Sequence, residues 1–377
     1  MVNPYSFTLG RRIIYEPICL DIIRKRVNIA VCERYNLYEI YKENIFNICI
    51  LLPTKNNHHL IISKVDFKAN MKTNKIIIHE VGPRDGLQVE KTIVPIEEKI
   101  EWANGIIKSG VDIIQLGSFV NPKAVPQMAD TDQLFAYFTE EKNRPTNIIL
   151  SGLVLNERGF ERGMECGVEM FCMGVSASET HSQKNTRMTP MEALGRIIPM
   201  AKSALESKKK VQVSVQSAFG CGFEGEIRKE KVLGIVKEYL AAGIKNISLA
   251  DTAGHAQPMQ VEDLFSSIKE LDDSVELACH FHNTYGLGLA NCYAALKAGV
   301  TSFESAYGGL GGCPFTKLPA GNVSTEDLVH SLQRMGYRTD INLETLLETA
   351  KKVSQFFDRE LPGAVLKSGS IVDYKKG

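Results

Sequence analysis

Eight short apolar runs alternate with amphipathic stretches along the chain from residue 75 onward. The runs are rich in isoleucine, valine and leucine, the composition of parallel β-strands that are buried on both faces. Between them, apolar residues recur with helical spacing, as Val232, Ile235 and Val236 do. Strands that alternate with helices predict βαβ units and a parallel sheet. The predicted strands are residues 76–79, 112–116, 147–153, 170–175, 211–215, 246–249, 276–282 and 302–305.

Eight such units fit a closed barrel better than an open sheet. Three of the helical stretches end in a glycine just before the next strand, at Gly110, Gly243 and Gly299, as expected where a helix stops. Two further helical stretches, 324–335 and 343–360, follow the eighth strand. We therefore predict an α/β fold, a (β/α)8 TIM barrel with extra C-terminal helices. The barrel is expected over residues 71–340 and the C-terminal helical part and tail over 341–377.

The first seventy residues differ in composition from the rest of the chain. Gly10 is their only glycine, although the whole chain has 30. They lack the basic start, apolar core and cleavage site of a secretory signal peptide, and Glu16 and Asp21 argue against a mitochondrial presequence, which avoids acidic residues. Residues 1–70 are therefore treated as an atypical N-terminal extension. Either Met71 is the natural initiator, or the extension is an accessory segment or a degenerate targeting peptide.

The overall composition excludes several classes of protein. The formal net charge is zero, which argues against a general binder of nucleic acid or anionic membranes. The nine cysteines form no CxxC pair, a pattern that indicates a reduced, intracellular protein rather than a disulfide framework. The sequence contains no run of about eighteen uncharged apolar residues, so no transmembrane helix is predicted. We expect a cytoplasmic enzyme with neither a nucleic-acid nor a membrane partner.

Two histidines lie close together at the end of the predicted seventh strand. His280 and His282 are separated by one residue, and residues i and i+2 of a strand point to the same face. In a (β/α)8 barrel the active site lies at the C-terminal ends of the strands. Two imidazoles side by side in a barrel need polar partners, and a shared metal ion satisfies both of them simply. We predict a metal site here, with hydrogen-bonded core histidines as the alternative.

Three other strand ends place polar or glycine-rich segments at the same rim. Arg84 and Asp85 follow the first strand and Asp251 follows the sixth, although each also fits an ordinary turn or helix cap. After the eighth strand, residues 308–312 include four glycines and precede Cys313. Glycine costs folding entropy, so this run indicates a need for backbone freedom. A cysteine on such a loop predicts a lid that brings an acid/base group to the substrate, with a merely flexible loop as the alternative.

Four segments together resemble hydroxymethylglutaryl-CoA (HMG-CoA) lyase, from a metal-dependent barrel family that also contains Claisen-type synthases and pyruvate-handling aldolases. They are EVGPRDGLQ at 80–88, SFVNPKAVPQM at 118–128, the histidine pair, and GLGGCP at 309–314, which is the most specific of them. The resemblance extends over residues 76–336. It implies a carbon–carbon lyase that cleaves HMG-CoA, or a closely related branched hydroxyacyl-CoA, to acetyl-CoA and acetoacetate.

The same resemblance implies the roles of individual residues. The expected metal ligands are Asp85, His280, His282 and Asn322. Nitrogen and oxygen donors with open positions suit Mg²⁺ or Mn²⁺, with Zn²⁺ or Co²⁺ as alternatives. Arg84 is expected to offset the charge of an enolate, Cys313 to shuttle a proton, and Asp251 to lie near the substrate. The family further implies an acyl-CoA substrate, a homo-oligomer that is a dimer, and a place in leucine degradation and ketone-body formation.

Three positions depart from the family pattern. Gln115 stands where these lyases usually carry a glutamate, Ser217 where a cysteine is usual, and His255 where a small residue is usual. Gln115 is expected to bind the substrate together with Arg84, but a neutral amide cannot hold an arginine as a carboxylate does. The exact acyl group is therefore left open. A Claisen-type synthase joining acetyl-CoA to a 2-oxo acid, and a catalytically inactive barrel acting as a binding protein, are the alternative functions.

Overall fold

Three strands before residue 75 form an antiparallel sheet. β1 (Leu37–Lys42) pairs with β2 (Ile45–Pro53), which in turn pairs with β3 (His58–Lys64). The composition of the N-terminal extension predicted none of them. The computed structural model describes the backbone of these strands and, after them, residues 75–312 and 321–371. The chain divides into two compact units, which are residues 1–73 and residues 74–377.

Eight parallel strands close into a barrel in the second unit, so the predicted (β/α)8 fold is confirmed. Each strand pairs with its neighbours in chain order, and the last pairs with the first to complete the ring. The strands are β4 (Ile77–Glu80), β5 (Ile113–Ser118), β6 (Ile149–Leu153), β7 (Met170–Ser176), β8 (Lys210–Gln216), β9 (Asn246–Asp251), β10 (Glu276–Phe281) and β11 (Ser302–Ser305).

Helices follow the strands and cover the outside of the barrel. Gly110, Gly243 and Gly299 have φ of 93°, 79° and 89°, so the glycines predicted to stop helices adopt the left-handed conformation that such stops use. The helices are α1 (Ile96–Ser109), α2 (Thr131–Thr139), α3 (Glu157–Glu165), α4 (Glu179–Thr186), α5 (Pro190–Glu206), α6 (Lys229–Ala241), α7 (Pro258–Leu271), α8 (Gly288–Lys297), α9 (Thr325–Arg334), α10 (Leu343–Phe356) and α11 (Ala364–Ser368).

Three α-helices of the described part of the chain follow the eighth strand: α9 and α10 lie on the two stretches predicted as helical, whereas α11 was not predicted. α10 packs beside α1, where the Trp102 ring meets the Phe356 ring edge to face with 5.4 Å between ring centroids. Trp102 belongs to the main hydrophobic core, and the partly buried Phe356 packs against that core. Among the described residues, no helix combines the length and the apolar composition that crossing a membrane requires.

Candidate active site

The interior of the barrel changes from apolar to polar along its strands. Ile113, Met170 and Cys172 form a small apolar cluster inside the ring. Further along the strands, buried polar side chains replace it, namely His79, Gln115, Ser151, Gln212, Ser248, His280 and Glu304. A cavity of about 440 Å³ reaches this polar layer, and its walls include Arg84 and Asp85. The site therefore lies at the C-terminal ends of the strands, as this fold predicts.

Asp85, His280 and His282 converge at this cavity. The Nε2 atoms of the two imidazoles are 3.1 Å apart. Asp85 Oδ2 lies 3.8 Å from Nε2 of His280 and 3.6 Å from Nε2 of His282. His282 falls one residue beyond the end of β10, where it forms an isolated bridge with Asn322, yet the two rings still face each other. Within 75–312 and 321–371, no other set of three His, Cys, Asp or Glu side chains brings its ligand atoms so close together.

The Asn322 side chain completes this group and fits a cation site. Its Nδ2 donates to Asp85 Oδ2 at 2.8 Å and to the carbonyl oxygen of Leu310 at 2.9 Å. Its Oδ1 is buried and has no hydrogen-bond partner in the described part of the chain. An unpartnered buried acceptor beside a carboxylate and two imidazoles matches the donors that a divalent cation takes. The structure thus brings together all four side chains predicted as ligands.

The charge states of Asp85 and His282 suit a cation. Burial raises the pKa of Asp85, but Arg84 and the two imidazoles outweigh burial and hold that pKa well below its usual value. Burial lowers the pKa of His282, which favours the neutral imidazole. Burial lowers the pKa of His280 too, but the hydrogen bond to Glu304 and the charge of Asp85 outweigh burial and raise that pKa. An ionised carboxylate and a neutral imidazole are the forms in which these side chains bind metals.

Arg84 is held at the cavity wall by two side chains. Its Nε donates to Gln115 Oε1, and its Nη1 donates to Asp85 Oδ1. Gln115 therefore does contact the arginine, through an amide oxygen that accepts one N–H but leaves the positive charge without a second carboxylate partner. Arg84 and Gln115 both line the cavity, which is consistent with the predicted substrate-binding roles.

A buried carboxylate positions the turn that carries Arg84. Glu80, at the end of β4, accepts hydrogen bonds from the Gly82 amide at 2.7 Å, the Tyr307 amide at 3.0 Å and Thr325 Oγ1 at 2.6 Å. A Cβ at Gly82 would lie 2.6 Å from Glu80 Oε1, so only glycine fits this close approach. Burial raises the pKa of Glu80 to about 8. Glu80 thus ties the Arg84 turn to the start of the glycine-rich loop.

The glycine-rich loop has the unusual backbone that its composition predicts. Gly308 and Gly311 have φ of 62° and 106°, a region that L side chains disfavour. A Cβ on Gly311 would lie 2.4 Å from Asn322 Nδ2, so a side chain there would displace a candidate ligand. Gly312 lines the cavity. Cys313, the predicted proton shuttle, follows directly and lies outside the described residues.

Asp251 lies at the end of β9, but its side chain faces its own loop. Its Oδ1 accepts hydrogen bonds from the amides of His255 at 2.8 Å and Ala256 at 3.2 Å. Its neighbours Ala250 and Thr252 line the cavity, whereas Asp251 does not. Burial raises the pKa of Asp251 to about 7, and its Oδ2 has no hydrogen-bond partner among the residues described. These contacts are those of a turn residue, and the catalytic role of Asp251 remains a prediction.

Asp251→Asn should stabilise the protein more at pH 8 than at pH 5. The pKa of Asp251 is raised from 3.8 to about 7, so the folded state retains a proton that the unfolded state loses. Tighter binding of this proton in the folded state contributes fully to the free energy of unfolding below about pH 4. The contribution is lost as the pH rises to about 7, and the loss amounts to roughly 4 kcal/mol. Asparagine carries no charge, so the free energy of unfolding of the variant does not decrease with pH for this reason. Thermal midpoints in EDTA at both pH values test this, and an equal gap between variant and wild type at pH 5 and pH 8 contradicts it.

The other two departures from the family pattern lie outside the cavity wall. Ser217 has a φ of 53°, and its amide donates to Thr252 Oγ1 at 2.9 Å. The His255 ring packs near Tyr285, with 6.0 Å between ring centroids. Neither Ser217 nor His255 lines the cavity, so Gln115 is the departure that can alter what the cavity binds.

Two polar side chains of the barrel interior, those of Glu304 and His79, were not predicted from the sequence as site residues. Glu304 faces His280, and His79 Nε2 lies 2.9 Å from Ser151 Oγ. Burial lowers the pKa of His79 to about 4, so its ring is neutral. A signal for Glu304 was present in the predicted eighth strand. Phe303 packs into the outer core, and alternation then directs its neighbour Glu304 inward.

The fold is a closed (β/α)8 barrel, and a carboxylate, two histidines and an arginine surround the cavity at the C-terminal ends of its strands. These features define the class of protein as a barrel enzyme with a candidate divalent-cation centre. A sequence model of the family described as HMGL-like matches residues 75–353, which include the whole barrel. The chain therefore belongs to the HMGL-like family, and the resemblance predicted from its motifs is confirmed.

Individual relatives agree with this assignment. Hydroxymethylglutaryl-CoA lyase of Bacillus subtilis is 36% identical over 293 residues, which cover 78% of this chain and 97% of the relative. (R)-citramalyl-CoA lyase of Chloroflexus aurantiacus is 35% identical over 302 residues, which cover 78% and 95%. The structure of an HMG-CoA lyase from Acinetobacter baumannii, in complex with coenzyme A and 3-methylmalate, matches with a TM-score of 0.74 at 38% identity and covers 79% of this chain and 96% of its own. The predicted enzyme class, a carbon–carbon lyase, is confirmed.

Proposed function

We propose that the protein cleaves HMG-CoA to acetyl-CoA and acetoacetate. The observation that carries this proposal is the convergence of Asp85, His280 and His282 beside Arg84 at one cavity of the barrel. A tertiary alcohol next to a thioester is cleaved by loss of the hydroxyl proton and release of a ketone and an enolate. Such a reaction needs a group that acidifies the hydroxyl and a cation that faces the enolate. Asp85, His280 and His282 would hold a cation that acidifies the hydroxyl, and Arg84 would face the enolate.

Arg84 is proposed to offset the negative charge that develops on the thioester oxygen. Its side chain is 12% exposed, and its contacts with Gln115 and Asp85 use two of its five N–H groups. Fixed donors in a site from which water is largely excluded stabilise such charge more strongly than water does. Gln115 is proposed to set the orientation of the guanidinium without neutralising it.

Asp85, His280, His282 and Asn322 are proposed to hold a divalent cation, most simply Mg²⁺ or Mn²⁺. When bound, the cation lowers the pKa of the substrate hydroxyl and polarises the ketone that forms. Cys313 is proposed to transfer a proton to the enolate carbon, and this is supported by its place in the sequence directly after Gly312, a residue that lines the cavity. Asp251 is proposed to act near the substrate, and its place between Ala250 and Thr252, which both line the cavity, supports this.

A related acyl-CoA is the second candidate substrate. The (R)-citramalyl-CoA lyase of Chloroflexus aurantiacus is as similar to this chain as the HMG-CoA lyases are. Gln115 stands at the cavity wall in contact with Arg84, where its side chain can influence which acyl group binds. Citramalyl-CoA cleavage releases acetyl-CoA and pyruvate, so the two activities give different products.

Mass spectrometry of the products identifies the substrate. The full chain is incubated with Mg²⁺ and either HMG-CoA or citramalyl-CoA, and we expect acetyl-CoA with acetoacetate from the first at the higher kcat/KM. Pyruvate formation at the higher kcat/KM would assign the second. In a parallel incubation with acetyl-CoA and a 2-oxo acid, condensation of the two would indicate a synthase instead. Turnover of none of them would favour the inactive binding barrel.

The setting of the enzyme is proposed on the same basis. Acetoacetate as a product would place the reaction in leucine degradation and ketone-body formation. A cytoplasmic location is supported by the acidic residues Glu16 and Asp21 in the extension. Homodimer formation is supported by apolar side chains on the surface near α8, where Tyr285 is 69% and Tyr293 54% exposed. Light scattering after gel filtration measures the oligomeric state.

A chain that begins at Met71 should fold and keep its full kcat. The family match begins at residue 75, and residues 74–377 form a compact unit by themselves. We therefore propose residues 71–340 with the C-terminal helices as the catalytic unit. A matched chain that begins at residue 87 lacks β4 and Arg84 and should be insoluble or inactive. Loss of solubility or of activity in the Met71 chain would show that the extension is part of the working enzyme.

A further inference from the structure

Glu304 lies directly beside His280 on the neighbouring strand. β10 and β11 pair in a register that places these two residues opposite each other. Glu304 Oε2 is 2.9 Å from His280 Nδ1. Its Oε1 accepts a hydrogen bond from Ser248 Oγ at 2.9 Å and another from Gln212 Nε2. The carboxylate is thus buried and anchored on both oxygens, which leaves it one orientation.

This contact determines which nitrogen of His280 is free. A carboxylate only accepts hydrogen bonds, so Nδ1 of His280 carries the proton and donates it. The lone pair of the neutral ring is then on Nε2, the atom that lies 3.1 Å from Nε2 of His282 and 3.8 Å from Asp85. The free nitrogen of His280 therefore points into the candidate cation site.

Charge supports the same interpretation. When both imidazoles are neutral, as metal binding requires, the two carboxylates of Asp85 and Glu304 face one guanidinium, that of Arg84, and a cation would balance the remaining negative charge. Buried charges are normally paired or coordinate a metal. A polar side chain that merely filled the barrel interior would not need to be ionic.

We propose that Glu304 is a positioning residue for the divalent cation, acting through His280 rather than as a ligand. This inference rests on the proposed cation site. A carboxylate behind a metal-binding histidine holds the ring and its tautomer and makes the free nitrogen a stronger donor, and its loss typically weakens metal binding 10- to 100-fold.

Titration of Mn²⁺ into the metal-free full chain, followed by calorimetry, tests this role. Glu304→Gln should raise the Kd for Mn²⁺ by about tenfold or more. Glu90→Gln is the matched control, since Glu90 and Glu304 are each 8% exposed but Glu90 pairs with Arg359 away from the site. The control should keep the wild-type Kd. Nitrogen chemical shifts of the imidazoles add a second readout, because Nδ1 of His280 should be protonated in the metal-free wild type and partly deprotonated in Glu304→Gln.

Two results separate this inference from the proposed function. If the wild type binds no Mn²⁺, the cation site itself is wrong. If the wild type binds Mn²⁺ and Glu304→Gln binds as tightly as Glu90→Gln, the site stands and the role of Glu304 is wrong. Should Glu304→Gln fail to fold, Ser248→Ala removes one anchor of the same carboxylate and should raise the Kd for Mn²⁺ by about two- to fivefold. An unchanged Kd in Ser248→Ala would then overturn the inference.

Discussion

Cys313→Ser is expected to lower kcat by about a hundredfold or more, because a positioned proton donor contributes that much to catalysis. A serine hydroxyl has nearly the shape of the thiol but is far less acidic, so proton transfer to the enolate carbon should suffer. Cation binding should be unchanged, since Asp85, His280 and His282 form the candidate site without the cysteine. Steady-state rates with HMG-CoA and the Kd for Mn²⁺ measure both effects.

Controls separate this catalytic role from a structural use of the loop. Cys166→Ser changes a half-buried thiol outside the cavity lining and should keep the wild-type kcat. Gly311→Ala should be damaging for another reason, since φ is 106° there and a Cβ would press on Asn322. If Cys313→Ser keeps more than about a third of the wild-type rate, the proton-transfer role has no support.

His282→Ala is expected to abolish the stabilisation of the protein by divalent cations. A ligand at about 100 times its Kd adds about 2.7 kcal/mol when it binds only the folded state. This raises the thermal midpoint by at least a few degrees in a domain of this size. Without His282 the site loses a nitrogen that lies 3.1 Å from its partner imidazole. Thermal midpoints with EDTA and with Mn²⁺ measure the gain, and kcat should fall along with it.

His255→Ala is the matched control for this experiment. The His255 ring packs near Tyr285 and does not line the cavity, so the stabilisation by Mn²⁺ should survive its removal. A stabilisation that persists in His282→Ala, or one that is lost equally in His255→Ala, would show that the cation binds elsewhere.

The histidine pair shows which part of the site a local sequence pattern predicts. One intervening residue predicted that His280 and His282 share a face, and their Nε2 atoms do meet. The strand ends at Phe281, however, and His282 keeps its direction through a bridge to Asn322, forty residues further along the chain. Local periodicity therefore predicted the pair, whereas a long-range contact completes it.

Gln115 and Asp251 show the opposite case. Gln115 was expected to hold Arg84 less well than a carboxylate would, but its amide oxygen accepts a hydrogen bond from Arg84, 31 positions away in the sequence. Asp251 was grouped with the catalytic residues, yet its Oδ1 is occupied by its own loop. That Gln115 lies on a barrel strand and that Asp251 lies at the end of one was predictable. The direction of each side chain depends on rotamers that the surrounding packing selects.

The sequence alone determined the eight strands, their helices, the barrel, the histidine pair and the strained glycine loop. These follow from short-range periodicity, from glycine chemistry and from the few ways in which βα units can be connected. Only the tertiary structure decided that Glu304 lies behind His280 and that Gln115 holds Arg84. The physical reason is the stagger between strands. It sets which inward-facing residues of separate strands share one level of the barrel, and no single strand carries that information.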